Sequence, residues 1–346
     1  MSELHELGWR PFFQSQIAAE ADQQLLPARV AAVHRGRLEV LTAPDDKRSL
    51  TAGIPDTGEL AVGDWLLLDA DGQRVLRVLD RIGAFKRRAA GTSAKAQLIA
   101  ANVDTLFIVT SANRDFNVAR LERYLALAYE AGAFPVVVIT KADTAESIDE
   151  FVREASRLAP GLLVEALDAR SPEQVVVLEP WCGDGQTVAL LGSSGVGKTT
   201  LMNTLSGSDE KTRAAREDDQ RGRHTTTYRS MHRLAGGGWL IDTPGMRELR
   251  LVDVGDALDD VFAEVTSLAE RCRFADCAHE NEPGCAVQRA IEEGELDADR
   301  LRRYRKLLSE DRRNTETLAQ RRSRDKDLGK LYKSVLVGKR KQRDGN

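Results

Sequence analysis

The chain has no long apolar run: nowhere in its 346 residues does a stretch approach the roughly 18 uninterrupted apolar side chains that cross a bilayer. Nor do residues from Met1 to Glu20 carry a basic start followed by an apolar segment, so no secretory leader is expected and a soluble cytoplasmic protein is. Cysteine is scarce. Four in a chain of this length are too few for a disulfide framework, and three of them crowd between Cys272 and Cys285 beside a histidine, a pattern that points to metal. Net positive charge is lacking as well, with 50 Lys and Arg against 54 Asp and Glu. That average hides an asymmetry. From Asp299 to Asn346 there are 17 Lys and Arg against 7 Asp and Glu, a local +10 of the kind that attracts phosphate backbones. No heptad repeat or sticky strand demands a second copy, so a monomer is expected.

What is present is apolar material, 42% of the residues, enough for about two or three compact domains. Short alternating strands are expected at 28–33, 37–41, 64–68 and 73–78, separated by Gly and Asp turns. A small barrel of the OB type fits that count, and such barrels commonly bind oligonucleotides; the basic Lys86-Arg87-Arg88 just past the last strand points the same way. After about Ala100 the texture changes. Continuous apolar runs at 105–110, 135–140, 162–164, 186–191 and 239–242 read as buried parallel strands, and 117–131 and 145–158 have helical spacing. Alternation of this sort predicts an α/β domain with a mostly parallel sheet. The expected division is an extension over 1–26, an OB-type barrel over 27–90, an α/β domain over 91–255, and a helical segment with a basic tail over 256–346.

Gly192-Ser193-Ser194-Gly195-Val196-Gly197-Lys198-Thr199 is a P-loop pattern, placed between an apolar strand and a plausible helix that starts with Thr200 close behind. Its glycines let backbone N–H groups face phosphates, Lys198 reaches the β and γ oxygens, and the Thr199 hydroxyl suits magnesium. Asp242-Thr243-Pro244-Gly245, at the end of a later strand, supplies an aspartate for the magnesium shell and a glycine N–H for the γ-phosphate. Thr140-Lys141-Ala142-Asp143 ends the 135–140 strand and resembles the guanine-reading N-K-x-D motif, with Thr140 where that motif has asparagine. Asp143 matches the donors of guanine N1 and N2, so GTP and GDP are the expected ligands. The order is unusual. In an ordinary GTPase the base-reading motif follows the P-loop; here it precedes it, a cyclic shift that keeps every loop at the carboxyl ends of the strands.

Between the P-loop helix and Asp242 lies a charged, nearly apolar-free segment ending in Gly222-Arg223-His224-Thr225-Thr226-Thr227. Such a segment orders around a bound phosphate, and Thr226 or Thr227 is suited to give magnesium its second hydroxyl. Met246 stands where Ras-like enzymes place a water-orienting glutamine, and a thioether cannot do that work. His224 is the candidate replacement, because imidazole can hydrogen-bond water near neutral pH. Farther on, Cys272, Cys277, His279 and Cys285 form a C-x4-C-x-H-x5-C array within fourteen residues. Three thiolates and one imidazole fill a tetrahedral zinc shell and leave no open position, so this zinc is expected to be structural. Cys182 lies outside the array and carries no assigned role.

The permuted order, the Gly222 to Thr227 run, Asn102-Val103-Asp104 and the Cys277-Ala278-His279-Glu280-Asn281-Glu282-Pro283-Gly284-Cys285 stretch together resemble the RsgA/YjeQ family of ribosome small subunit-dependent GTPases. The resemblance implies a circularly permuted P-loop GTPase domain between an OB-type barrel and a zinc-binding helical domain. It also implies a bacterial cytoplasmic enzyme that binds the small ribosomal subunit and its rRNA late in maturation, hydrolyses GTP slowly alone, and is strongly activated there. His224 matches the family's water-positioning histidine. Two other readings are a P-loop ATPase, which Thr140 permits, and a non-catalytic GTP-gated RNA-binding scaffold, which the missing glutamine permits.

Overall fold

The computed structural model describes residues 2–17, 24–34, 36–51, 55–56, 58–88, 96–207, 229–242 and 254–315. Two short helices open the chain, α1 (Ser2–Glu6) and α2 (Pro11–Gln14). Seven strands follow: β1 (Leu26–His34), β2 (Arg37–Ala43), β3 (Asp46–Leu50), β4 (Trp65–Leu68), β5 (Val75–Val78), β6 (Ala84–Arg88) and β7 (Ala96–Ala101). Three of these were not expected. The β3 sequence Asp46-Lys47-Arg48-Ser49-Leu50 alternates but is too polar to announce itself, and only Leu50 turns inward. Lys86-Arg87-Arg88 lies within β6, which pairs antiparallel with β7, rather than beyond the last strand.

The second part alternates strand and helix: β8 (Thr105–Ser111), α3 (Val118–Glu130), β9 (Phe134–Thr140), α4 (Ile148–Ser156), β10 (Leu163–Ala166), α5 (Pro172–Val175), β11 (Thr187–Leu191), α6 (Lys198–Ser206), β12 (Arg229–Arg233) and β13 (Trp239–Asp242), with α5 and β12 not expected from the sequence. Strands β10, β9, β8, β11 and β13 run parallel in that order. Both faces of this half are covered, so successive side chains enter different cores. Leu106 and Ile108 face one cluster, with Leu121, Leu125 and Ala128 of α3, while Phe107 and Val109 face another, with Leu201 and Leu205 of α6. This two-sided burial is why the strands read as unbroken apolar runs.

The two halves share one sheet. Strand β1 bonds β2 along one edge; along the other it bonds β4 through Leu26–Arg29 and β12 through Ala32 and Val33. Strand β12 in turn lies antiparallel to β13. Its sequence, Arg229-Ser230-Met231-His232-Arg233, offers little apolar signal, which is why this joining strand escaped the sequence reading. The pairing order β3-β2-β1-β4-β5 wraps a separate cluster that contains Ala28, Val30, Leu38, Leu50 and Leu66. Among the described residues no ladder joins β3 to β5.

Arg29 fastens the seam. Its side chain is 1% exposed. It donates to the carbonyls of Leu7 and Asn102 and, at 2.8 Å, to Thr187 Oγ1, so the residues after α1, the end of β7 and the start of β11 meet on one guanidinium. Burial pulls its pKa down to about 10, which still leaves it charged at neutral pH. Buried charge is tolerated only when bonded, and here both terminal nitrogens are bonded while Nε has no partner among the described residues.

Past β13 come α7 (Gly255–Val261), α8 (Ala263–Ala269), α9 (Ala286–Glu292) and α10 (Ala298–Thr315). This helical part docks on α3. Glu122 of α3, 0% exposed, accepts from Arg300 of α10 at 2.7 Å and from Arg303 at 2.8 and 2.9 Å. Arg300 also donates to the carbonyls of Leu158 and Val261 and lies over the Phe262 ring. Breaking a pair buried to this degree typically costs about 3–5 kcal/mol, because the partner charge is stranded. No described helix is long and apolar enough to cross a membrane.

Candidate functional site

The loops at the carboxyl ends of β8, β9, β10 and β11 converge. Strand β11 ends at Leu191 and leads into Gly192, which packs so tightly on β8 that an added Cβ would sit 2.1 Å from the Val109 carbonyl oxygen. Only glycine permits that approach. Gly197 precedes α6 with φ 93°, a left-handed conformation that turns the chain from loop to helix. The loop from Gly192 to Gly197 is thereby held as a hollow opening onto the start of α6. Lys198 bends back over it and donates to the carbonyls of Gly192, at 2.7 Å, and Ser193. Its ammonium thus lies at the loop where an anion would be received. Ser194, Thr199 and Thr200 complete the stretch, and Thr200 lines the neighbouring cleft.

The Thr140 end of β9 lies directly against this loop. Thr140 is fully buried, and its Oγ1 is 2.6 Å from the Val196 carbonyl oxygen and 3.0 Å from that of Thr110. A hydroxyl therefore does the bracing that the asparagine of the motif would do. Lys141, at φ 57°, donates to the Gly195 carbonyl at 2.9 Å. Two consecutive residues of the base-reading motif thus grip the P-loop, although they come earlier in the chain. Replacing Thr140 by valine keeps the volume and removes the donor. We expect guanine-nucleotide affinity to fall by roughly three- to tenfold, the scale of one hydrogen bond, in a titration with a fluorescent GDP. Unchanged affinity would show that the brace is idle.

A cleft of about 240 Å³ opens beside the brace, lined by Thr140, Lys141, Asp143, Asp168, Ala169, Arg170 and Thr200 among others. Arg170 donates to Asp143 at 2.8 Å and to Asp168 at 2.9 Å, so the Asp143 carboxylate is paired with a cation. Hydrogen bonds from Arg170 hold the Asp168 carboxyl below its usual range. After β10, which continues through Ala166, and the buried Leu167, the residues that reach the cleft are Asp168, Ala169 and Arg170. Ser171, which caps α5, marks the end of this loop and was the available signal.

Asp242 is exposed at the end of β13, the parallel neighbour of β11, and so stands on the same side of the sheet as the P-loop. Gly245, His224, Thr226 and Thr227 lie outside the described residues. Cys182 is buried under the sheet, where burial pushes its thiol up to about 12, consistent with a packing role alone.

The second constellation sits between α8 and α9. Cys272, Cys277, His279 and Cys285 bring their ligand atoms within 4.8 Å of one another. Cys272 Sγ and Cys285 Sγ are 3.9 Å apart, and each is 3.6 Å from His279 Nδ1. A tetrahedral ion bonded at about 2.3 Å to sulfur and about 2.0–2.1 Å to nitrogen requires separations of roughly 3.8 and 3.5 Å, so the donor set fits zinc. Local order sustains the geometry. His279 takes φ 58°, Glu282 accepts from the amides of Ala278 and Glu280, and Cys285 caps α9 by accepting from Gln288 N at 3.4 Å. Burial opposes ionisation of Cys272, but backbone amides of Val287 and Ala286 outweigh it and hold its thiol below the usual range.

A phosphate loop after a parallel strand, braced by a base-reading strand end from earlier in the chain, defines a P-loop nucleotide-binding protein of permuted motif order. The RsgA GTPase family profile matches residues 78–252. A small ribosomal subunit biogenesis GTPase RsgA from Mesorhizobium japonicum is 53% identical over 90% of this chain and 91% of its own. One from Vibrio parahaemolyticus, RsgA 2, is 48% identical over 98% and 94%. The chain belongs to the RsgA GTPase family. Two solved structures share its fold. YjeQ from Thermotoga maritima has a TM-score of 0.62 at 23% identity, covering 83% of this chain and 98% of its own. YloQ, described as a circularly permuted GTPase, has a TM-score of 0.58 at 22% identity, covering 86% and 99%.

Proposed function

We propose that this chain is a cytoplasmic, monomeric enzyme that binds the small ribosomal subunit and hydrolyses GTP during late maturation of that subunit, slowly alone and rapidly when bound. The observation that carries the reading is the Thr140–Lys141 grip on the P-loop, in a chain whose near full-length relatives are named small ribosomal subunit biogenesis GTPases. In this reading Asp143 accepts from the guanine N1 and N2 donors after parting from Arg170. Amides of the loop from Gly192 to Gly197 and the Lys198 ammonium receive the phosphates, and the Gly245 amide meets the γ-phosphate. Thr199, with Asp242 and Thr226 or Thr227, would hold magnesium, which neutralises developing charge on the phosphates. His224 orients the attacking water.

Zinc is the proposed ion for the Cys3His group, as a structural brace that keeps the segment between α8 and α9 presentable to RNA. The proposed division keeps an OB-type barrel over 27–90, a GTPase domain over 91–255 and a zinc domain with its basic tail over 256–346. The barrel, the zinc segment and the tail flank the switch, and their cationic side chains suit rRNA phosphates. Co-sedimentation tests the partner. The chain should pellet with small subunits in the presence of a non-hydrolysable GTP analogue and be released with GDP. Equal pelleting with large subunits, or none with either, would overturn the partner assignment.

A further inference from the structure

Helix α3 is fixed at its outer side and touches the P-loop at its first turn. Asn117 caps it, accepting from Arg120 N at 2.9 Å, and Asn113 organises the preceding loop by accepting from Ser111 Oγ and Asp115 N. Within this capped turn Arg120 donates from one guanidinium nitrogen to Ser193 Oγ at 2.5 Å, and that nitrogen lies 3.5 Å from the Asp115 carbonyl. Ser193 is the same residue whose carbonyl accepts from Lys198. The loop residue is therefore held on two sides, by the P-loop lysine and by an arginine that no motif predicts. On α3 the neighbours of Arg120 are committed elsewhere: Glu122 to Arg300 and Arg303, and Arg123 to Glu310 of α10 through two hydrogen bonds. The helix that carries Arg120 is thus clamped by α10, and its first turn cannot shift without straining those pairs.

We propose that Arg120 is a positioning residue for GTP hydrolysis, acting through the Ser193 hydroxyl to hold the opening of the P-loop in its phosphate-receiving shape. This rests on the GTPase reading given above. The guanidinium anchors a polar side chain of the loop to a clamped helix, and the amides that face a phosphate are displaced when that anchor is lost. Because the contact lies at the Ser193 end of the loop, away from the Thr140 brace and the base cleft, its loss is felt at the γ-phosphate, which GDP lacks, and so in turnover more than in GDP affinity. Arginine suits the task since its planar fork holds direction better than a flexible ammonium.

The test is steady-state GTP hydrolysis, with small ribosomal subunits present, by the full chain and by Arg120→Ala, Ser193→Ala and the double variant, alongside GDP affinity and the melting temperature. Arg120→Ala should lower kcat about tenfold, the scale of one charge-assisted hydrogen bond, with GDP affinity changed less than about twofold. Ser193→Ala should lose about as much, and the double variant no more than either, since both remove the same contact. Arg120→Lys should recover part of the rate. Additive losses, or a full rate in Arg120→Ala, would overturn the proposal while leaving the GTPase reading intact. Parallel falls in melting temperature and GDP affinity would mark a purely structural arginine and overturn it too. Wild-type protein that fails to hydrolyse GTP would instead remove the reading on which it rests.

Discussion

Replacing His224 by alanine is expected to lower subunit-stimulated GTP hydrolysis by at least about a hundredfold while leaving GTP-analogue affinity within about threefold. The expectation follows from what the chain does not have. After Asp242-Thr243-Pro244-Gly245 stands Met246, whose thioether neither donates to nor strongly accepts from an attacking water. A group that orients water or shares its proton contributes roughly 10²–10⁴ to the rate. His224 adjoins the threonines proposed for magnesium, so it would arrive beside the γ-phosphate when they do. The described residues that form the base cleft and the P-loop grip do not include it. Single-turnover phosphate release and a fluorescent-analogue titration separate the two effects. Loss of affinity along with rate would move His224 from the water to the nucleotide's binding shell.

The second large effect is expected at the metal centre. Cys285→Ser should abolish zinc retention and lower the unfolding free energy of the α8–α10 region by more than about 3 kcal/mol, because zinc binding in isolated finger peptides is worth roughly 10–16 kcal/mol. Serine is the informative replacement. Cys285 is both a ligand candidate and the cap of α9, and a serine oxygen caps a helix well but is a poor partner for zinc. A serine variant that keeps one zinc per chain and full stability would show that the sulfur acts only as a cap. Metal content by mass spectrometry and hydrogen exchange in α9 and α10 report the outcome.

Local chemistry was legible from the sequence and tertiary pairing was not. The P-loop, the Thr140–Asp143 strand end and the Cys3His array are each encoded in contiguous residues with fixed spacing, so their types and places were readable. Unbroken apolar runs likewise announced the parallel strands, since both faces are buried. Strand β12 stayed hidden because its place is set by hydrogen bonds to β13 and β1, not by apolar side chains. The joint role of Arg29, the Glu122–Arg300 clamp and the Arg120–Ser193 contact link residues far apart in the chain, and no spacing rule connects them. Thr140 is the instructive case. Read against the N-K-x-D motif it is a departure, yet its hydroxyl reaches the Val196 carbonyl because β9 lies one strand from β11, across β8.

The most direct test of the central claim is phosphate release from GTP by the purified chain, with and without small ribosomal subunits, using large subunits and ATP as controls. The account predicts slow release alone and a large stimulation confined to GTP with the small subunit. Equal slow release in every mixture would contradict it.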